Sequence, residues 1–61
     1  MKNLKTIKRF SSSFDDTLTL VEVVDNGTNF IVRVMGEPDL TFSQERQAVH
    51  YAMQKAVEFY D

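Results

Sequence analysis

Two β-rich runs joined by a turn decide the fold of this chain. Residues 17–25 read TLTLVEVVD, residues 28–35 read TNFIVRVM, and Asn26-Gly27 lies between them. The first run is rich in Val and Thr, and the second contains Val, Ile, Phe and Thr, residues that are typical of strands. An Asn-Gly pair tolerates the positive φ that a two-residue type I′ turn requires at both central positions. The stretch therefore predicts an antiparallel hairpin, 17–25 against 28–35.

A two-residue loop also predicts which side chains share a face of the hairpin. It pairs three residues of the first run with three of the second: Val23 with Phe30, Val21 with Val32, and Thr19 with Val34. This set is the predicted core face. The other face is also mostly apolar, with Leu18, Leu20, Val24, Ile31 and Met35 beside Glu22, Asn29 and Arg33. We expect Glu22 and Arg33 to pair across the strands, and the N-terminal segment or a second copy of the chain to cover this face.

Residues 43–60 predict one long amphipathic helix. Gly36-Glu37-Pro38-Asp39 ends the second strand, because Pro38 removes a ladder donor and the others favour a turn. Ser43 is the candidate N-cap, and Glu45 follows in the first turn, where the helix dipole favours an acid. The predicted apolar stripe comprises Val49, Ala52, Met53, Ala56 and Tyr60, widened by Ala48, Val57 and Phe59.

The first segment, residues 4–14, is compatible with a helix or a strand. A two-stranded hairpin is a narrow platform for so long a helix, so a third strand is favoured. The predicted fold is α+β, a small antiparallel sheet packed on one C-terminal helix in the order βββα, with αββα as the alternative. Residues 1–61 are predicted to form one domain, in which residues 1–10 are a basic arm or the first strand.

A chain of 61 residues buries only about 60% of the surface that its unfolded form exposes. It contains no Cys and one His, so neither a disulfide nor a structural zinc site is expected to stabilise it. Self-association is the remaining common way to stabilise so small a domain, and we expect a homodimer. The sequence shows neither an apolar leader nor a run long enough to span a membrane, which favours the cytoplasm.

The net charge of −2 is unevenly distributed along the chain. Residues 1–10 carry +4, from Lys2, Lys5, Lys8 and Arg9, and the remainder carries −6. These four bases are a candidate site for an anion or a nucleic acid. The signal is weak, because few phosphate contacts give salt-sensitive binding and the acidic remainder would repel the backbone. A protein partner, or the acidic body of the chain itself, fits the same charges.

Nothing in the sequence predicts catalysis, a metal or a cofactor. His50 is expected on the flank of the helix with no nucleophile or carboxylate beside it. Asp15-Asp16, and Glu37 with Asp39, lie in predicted loops, where such acids commonly form turn hydrogen bonds. The sequence also contains no phosphate-binding loop and no nucleophile elbow. We therefore expect a protein that is not an enzyme.

The predicted helix carries two further features. Ala48, Ala52 and Ala56 recur every four residues along one edge of the apolar stripe. Small residues at this spacing allow a close approach, here favoured to be to the chain's own sheet, with a helix of a second chain as the alternative. Tyr51 is predicted to point away from the stripe, and with Lys55 it forms a candidate contact for a partner.

Two partial resemblances to known families concern the second half of the chain. Strands followed by a helix that opens with Ser43, Glu45, Ala48 and Ala52 resemble a double-stranded RNA-binding domain. Here, however, residues 43–47 read SQERQ where that family has a basic run. Residues 25–40, ahead of an Ala-rich helix, are similar to antitoxins of the HicB type, which implies a small regulatory protein. Neither resemblance identifies a family.

The sequence therefore predicts a non-catalytic interaction module that binds and modulates another macromolecule, most simply a protein, as a homodimer. Its predicted partner-binding or dimer face comprises Leu18, Leu20, Ile31, Arg33 and Met35. The alternative is a small nucleic-acid-binding or antitoxin-like regulatory protein that uses the basic N-terminal segment.

Overall fold

The computed structural model of the chain describes residues 4–60, and Lys2 lies outside them. In chain order the elements are β1 (Lys5–Ser11), β2 (Thr19–Asp25), β3 (Phe30–Val34), β4 (Leu40–Phe42) and α1 (Glu45–Tyr60). The strands form one antiparallel sheet in the order β1-β2-β3-β4, and α1 packs on β2, β3 and β4. The predicted α+β fold, with its N-terminal strand, is confirmed. The αββα alternative is wrong, because residues 5–11 are extended.

The hairpin forms, but its predicted register is wrong by two residues. Asp25 lies opposite Phe30 and Val23 opposite Val32, so four residues separate the strands. Only Gly27 has a positive φ in this loop, and a type I′ turn would require a positive φ at Asn26 as well. Instead, Asn26 Oδ1 accepts hydrogen bonds from the backbone N–H groups of residues 28 and 29, at 2.9 and 2.7 Å.

A register shift of two residues leaves every side chain on its predicted face, because the side-chain period of a strand is two. The predicted core face is confirmed by four buried valines, Val21, Val23, Val32 and Val34, of which the first three are fully buried. They form the core cluster with Leu20 and the alanines of α1.

α1 packs on the sheet through its alanines, as predicted. Ala48, Ala52 and Ala56 are almost completely buried and belong to the core cluster. The predicted centre of the helix stripe is wrong, however, since Met53, Val57 and Tyr60 are about half exposed, at 48%, 57% and 52%. The smallest apolar side chains lie closest to the sheet, so the larger ones lie on the flank of the helix.

β4 is the one element that the sequence does not predict. It is three residues long, too short for a periodic pattern, and its strand conformation comes from pairing with β3. Gly36, at φ +82°, supplies the turn before it. Phe42 then packs against the core cluster, and its ring lies 5.5 Å from that of Tyr51.

The close approach of α1 to the sheet predicts that Ala52 accepts no larger side chain. We expect Ala52→Leu to lower the free energy of unfolding by about 1–3 kcal/mol, because the added atoms must displace α1 or the valines beneath it. Urea unfolding followed by circular dichroism measures this effect. Gln54→Leu places the same side chain at an exposed position of the helix and is the matched control. Equal stability of both variants would contradict the packing described.

Candidate functional site

One face of the sheet carries α1, and no other element of residues 4–60 covers the opposite face. On that face Glu22 lies opposite Arg33, and Val24 lies opposite Ile31. Leu18 directly precedes β2 and Met35 directly follows β3, so both lie at the same end of the sheet. Leu18, Ile31, Arg33 and Met35 together are called the open face below. Ile31 is half-buried and the other three are exposed.

The fifth residue predicted for this surface, Leu20, contributes little to it. Leu20 is only 7% exposed and is part of the core cluster. The ladder has an irregularity here, since Phe10 lies opposite Val21 whereas the next residue, Ser11, lies opposite Thr19. Strand alternation alone therefore overestimates how accessible Leu20 is.

The charges of the open face compensate one another. Arg33 Nη1 lies 3.7 Å from Glu22 Oε1, and Arg33 Nε lies 3.6 Å from Asp39 Oδ2. The predicted pairing of Glu22 with Arg33 is confirmed, and the two residues lie directly opposite each other. Exposed ion pairs such as these contribute about 0–1 kcal/mol each. Together the two acids offset the charge of Arg33 and leave one net negative charge at this part of the face.

Tyr51 and Lys55 lie on the side of α1 that faces β4. The prediction that Tyr51 points away from the packed side is wrong, because the ring is half-buried against the core cluster. Lys55 Nζ lies 3.3 Å from both carboxylate oxygens of Glu37 and 3.8 Å from Glu58 Oε1. The hydrogen bond to Glu37, above all, raises the pKa of Lys55. This pair ties α1 to the β3–β4 turn and is already engaged within the chain.

The bases of the N-terminal segment lie on β1, at one edge of the sheet. Lys5 and Lys8 are exposed, and Lys8 Nζ lies 5.4 Å from the centre of the Phe10 ring. Arg9 is turned toward the β1–β2 loop, where Nη2 donates to the carbonyl oxygen of Asp16 at 2.8 Å. Among residues 4–60, none of these bases pairs with a carboxylate.

The β1–β2 loop, residues 12–18, is held by its own side chains. Asp15 Oδ1 accepts hydrogen bonds from the backbone N–H of Thr17 at 3.0 Å and from the Thr17 hydroxyl at 2.5 Å. Ser12 Oγ accepts from the backbone N–H of Phe14 at 3.1 Å. The Thr17 hydroxyl bond, followed by the backbone bond, lowers the pKa of Asp15. The expectation that these acids form turn hydrogen bonds is confirmed for Asp15.

This loop presents Phe14 to solvent with 98% of its surface exposed. The sequence did not single out Phe14 as a contact residue, because its alternation with Phe10 favoured a continued strand. The neighbouring sequence could have indicated its exposure, because Phe14 is a single large apolar residue between three serines and two aspartates.

A depression of about 590 Å³ lies beside the first half of α1 and is lined by Glu45, Arg46, Val49, His50 and Met53. Val49 and Met53 supply its apolar surface, and His50 is exposed at its border, as predicted. Within residues 4–60 no three His, Asp or Glu side chains are grouped as metal ligands. In the same part of the chain, no helix is both long and apolar enough to cross a bilayer.

Comparison with protein-family models, curated protein sequences and solved structures finds no match to this chain. The location in the cytoplasm stays a prediction from the sequence.

The hydrogen bonds of Thr17 predict a low titration point for Asp15. We expect the pKa of the Asp15 carboxyl to lie below the ordinary value of an aspartate, and Thr17→Val to raise it toward that value, because the hydroxyl donor is lost. NMR titration of the Asp15 carboxyl carbon in the wild type and in the variant measures this pKa.

The same lowered pKa fixes the direction of the pH dependence. A carboxyl whose pKa is lower in the folded state stabilises the fold above its unfolded pKa, and this contribution is lost as the pH falls through the folded value. Thr17→Val should therefore reduce the loss of stability between neutral and strongly acidic pH. An unchanged Asp15 pKa in this variant would contradict the assignment.

Proposed function

We propose that this protein is a non-catalytic interaction module that binds another protein through the open face, modulates that protein, and associates with a second copy of itself. The observation that supports the open face is its composition. An antiparallel sheet that leaves one face in water normally shows polar residues there. Here Leu18, Ile31 and Met35 are apolar, and Arg33 is paired with two acids, which leaves one net negative charge.

The edges of the sheet are less suited to binding than its face. β1 carries Lys5 and Lys8, and the pairing with β2 is interrupted at Ile7 by a shift of one residue. Lysines and bulges on edge strands disfavour pairing with another strand. β4, at the other edge, spans only three residues. A partner is therefore expected to pack on the open face rather than extend the sheet.

The polar side chains that the sequence offered as candidates for chemistry are placed as follows in residues 4–60. His50 is exposed on α1 and makes no hydrogen bond to a carboxylate or a hydroxyl in this part of the chain. Asp15 is engaged with Thr17, and Asp39 with Arg33. General acid–base chemistry requires a group placed against a reacting atom, whereas Asp15 and Asp39 are placed against Thr17 and Arg33.

The test compares capture of partners by the wild type and by an open-face variant. We expect Leu18→Glu combined with Met35→Glu to abolish recovery of a protein that co-purifies with the tagged wild type from its native cell. Two buried carboxylates at the contact would remain unpaired. Both residues are exposed, so the free energy of unfolding should change by less than about 0.5 kcal/mol per site.

Leu40→Glu is the matched control, because Leu40 is exposed to a similar degree but lies on the opposite face of the sheet. This variant should recover the same protein as the wild type. A titration of the identified partner with each purified variant then measures the affinities. Equal affinity for the wild type and the open-face variant would contradict the proposal.

A second candidate function is nucleic-acid binding by β1. The observation that favours it is the exposure of Lys5 and Lys8 with no carboxylate partner among residues 4–60. Lys2, the first residue of the predicted basic set, lies outside the described residues. The net charge of −2 and the engagement of Arg9 with Asp16 speak against it.

Titration with DNA and with RNA at about 50 and 200 mM salt distinguishes the two functions. A protein-binding module should show no saturable binding at the higher concentration. Binding that weakens steeply with salt, and that disappears in the Lys5→Glu, Lys8→Glu double variant, would favour the nucleic-acid function instead.

A further inference from the structure

We propose that a second copy of this chain binds the flank of α1, and that Phe14 of each copy inserts into the depression beside Val49 and Met53 of the other. This inference rests on the self-association in the proposed function and adds the surface that carries it. It leaves the open face free for a different protein. The contact would be isologous, since each copy contributes the same loop and the same depression.

Phe14 has the properties of an anchor. Its side chain is 98% exposed, although burial of an apolar ring away from water is favourable. The loop that presents it is held in place by backbone N–H groups that donate to Asp15 Oδ1 and Ser12 Oγ, and by Arg9, which donates to a loop carbonyl oxygen. An ordered loop loses little conformational entropy on binding, which favours its use as an anchor.

The depression fits this anchor in size and chemistry. All five residues that line it belong to α1, so it is an open groove on the flank of the helix, about 590 Å³ in volume, along which a phenyl ring can lie. Val49 and Met53 line it with apolar atoms, and Met53 is 48% exposed. Met is also a favourable neighbour for an aromatic ring.

The charges of the loop that carries Phe14 and of the depression are complementary. Arg46 and His50 border the depression, and Arg46 forms no ion pair among residues 4–60. Asp15 and Asp16 follow Phe14 in the loop, and the carboxylate of Asp16 has no partner in the same part of the chain. Insertion of Phe14 would bring Asp16 of one copy to Arg46 of the other. Glu45, also at the border, opposes this attraction in part.

The β1–β2 loop and the depression lie near opposite ends of α1, as a closed dimer requires. Tyr60 Oη donates to the carbonyl oxygen of Ser11 at 2.5 Å, which places the β1–β2 loop near the C-terminal end of α1. The depression lies beside its first half. Two antiparallel copies of α1, each about 24 Å long, therefore bring each loop to the depression of its partner. Met53 and Val57 would lie between the helices and lose their exposure to water.

The test is the association constant of the wild type and of variants, measured by sedimentation equilibrium over micromolar to submillimolar concentrations. We expect a wild-type dimer and, for Phe14→Ser, a dissociation constant raised about tenfold or more. Because Phe14 is exposed in the single chain, its replacement should leave the urea unfolding of the monomer unchanged. Leu40→Ser, at an exposed apolar position away from both elements, should dimerise like the wild type.

Charge reversal tests the register of the contact. Arg46→Asp and Asp16→Arg should each weaken the dimer, and the double variant should recover most of the loss, because the opposite charges then meet again across the interface. Lack of recovery would overturn the proposed pairing.

A dimer that survives Phe14→Ser but is lost in the Leu18→Glu, Met35→Glu variant would overturn the inference and transfer self-association to the open face. A monomeric wild type would overturn the homodimer itself, while binding of another protein to the open face would still be measured by capture.

Discussion

The close packing of three alanines against four valines is the interaction on which the rest of this structure depends. Ala48, Ala52 and Ala56 allow α1 to approach the sheet until the valines beneath are almost completely excluded from water. Burial of apolar surface is the dominant favourable term in folding, and a chain of this size has few places to obtain it. The single helix covers a single face, so the arrangement that creates the core also determines which surfaces remain exposed.

Two surfaces remain exposed for that reason, on opposite sides of the molecule. The open face is left because the chain has no second layer to place over it within residues 4–60. The flank of α1 is left because the alanines take the position nearest the sheet, and Met53 and Val57 are displaced outward. The two contacts that we propose, with a second copy and with a different protein, therefore use separate surfaces.

The elements that local chemistry specifies could be predicted from the sequence. Turn residues around Gly27 and Pro38 place the ends of β2 and β3, and the period of two assigns Val21 and Val32 to the core even when the register is wrong by two. The register itself could not be predicted. The Asn26 side chain accepts backbone hydrogen bonds within the loop, and Asn26 lacks the positive φ that the predicted two-residue turn requires. Pairing of neighbours decides β4, which has no periodic signal of its own.

Some features of the candidate surfaces could also be predicted from the sequence, whereas others depend on the tertiary structure. Composition and periodicity alone indicate an α+β chain with one core face, one further apolar face and a basic first segment. The tertiary structure decides that Leu20 is buried, that Tyr51 packs against Phe42, and that Phe14 stands in water. The physical reason is that periodicity reports which way a side chain points, whereas exposure depends on how closely the neighbouring element approaches. That distance is set by the volumes of the side chains on both sides of the contact. The sequence of one strand or helix supplies only one of these two sides.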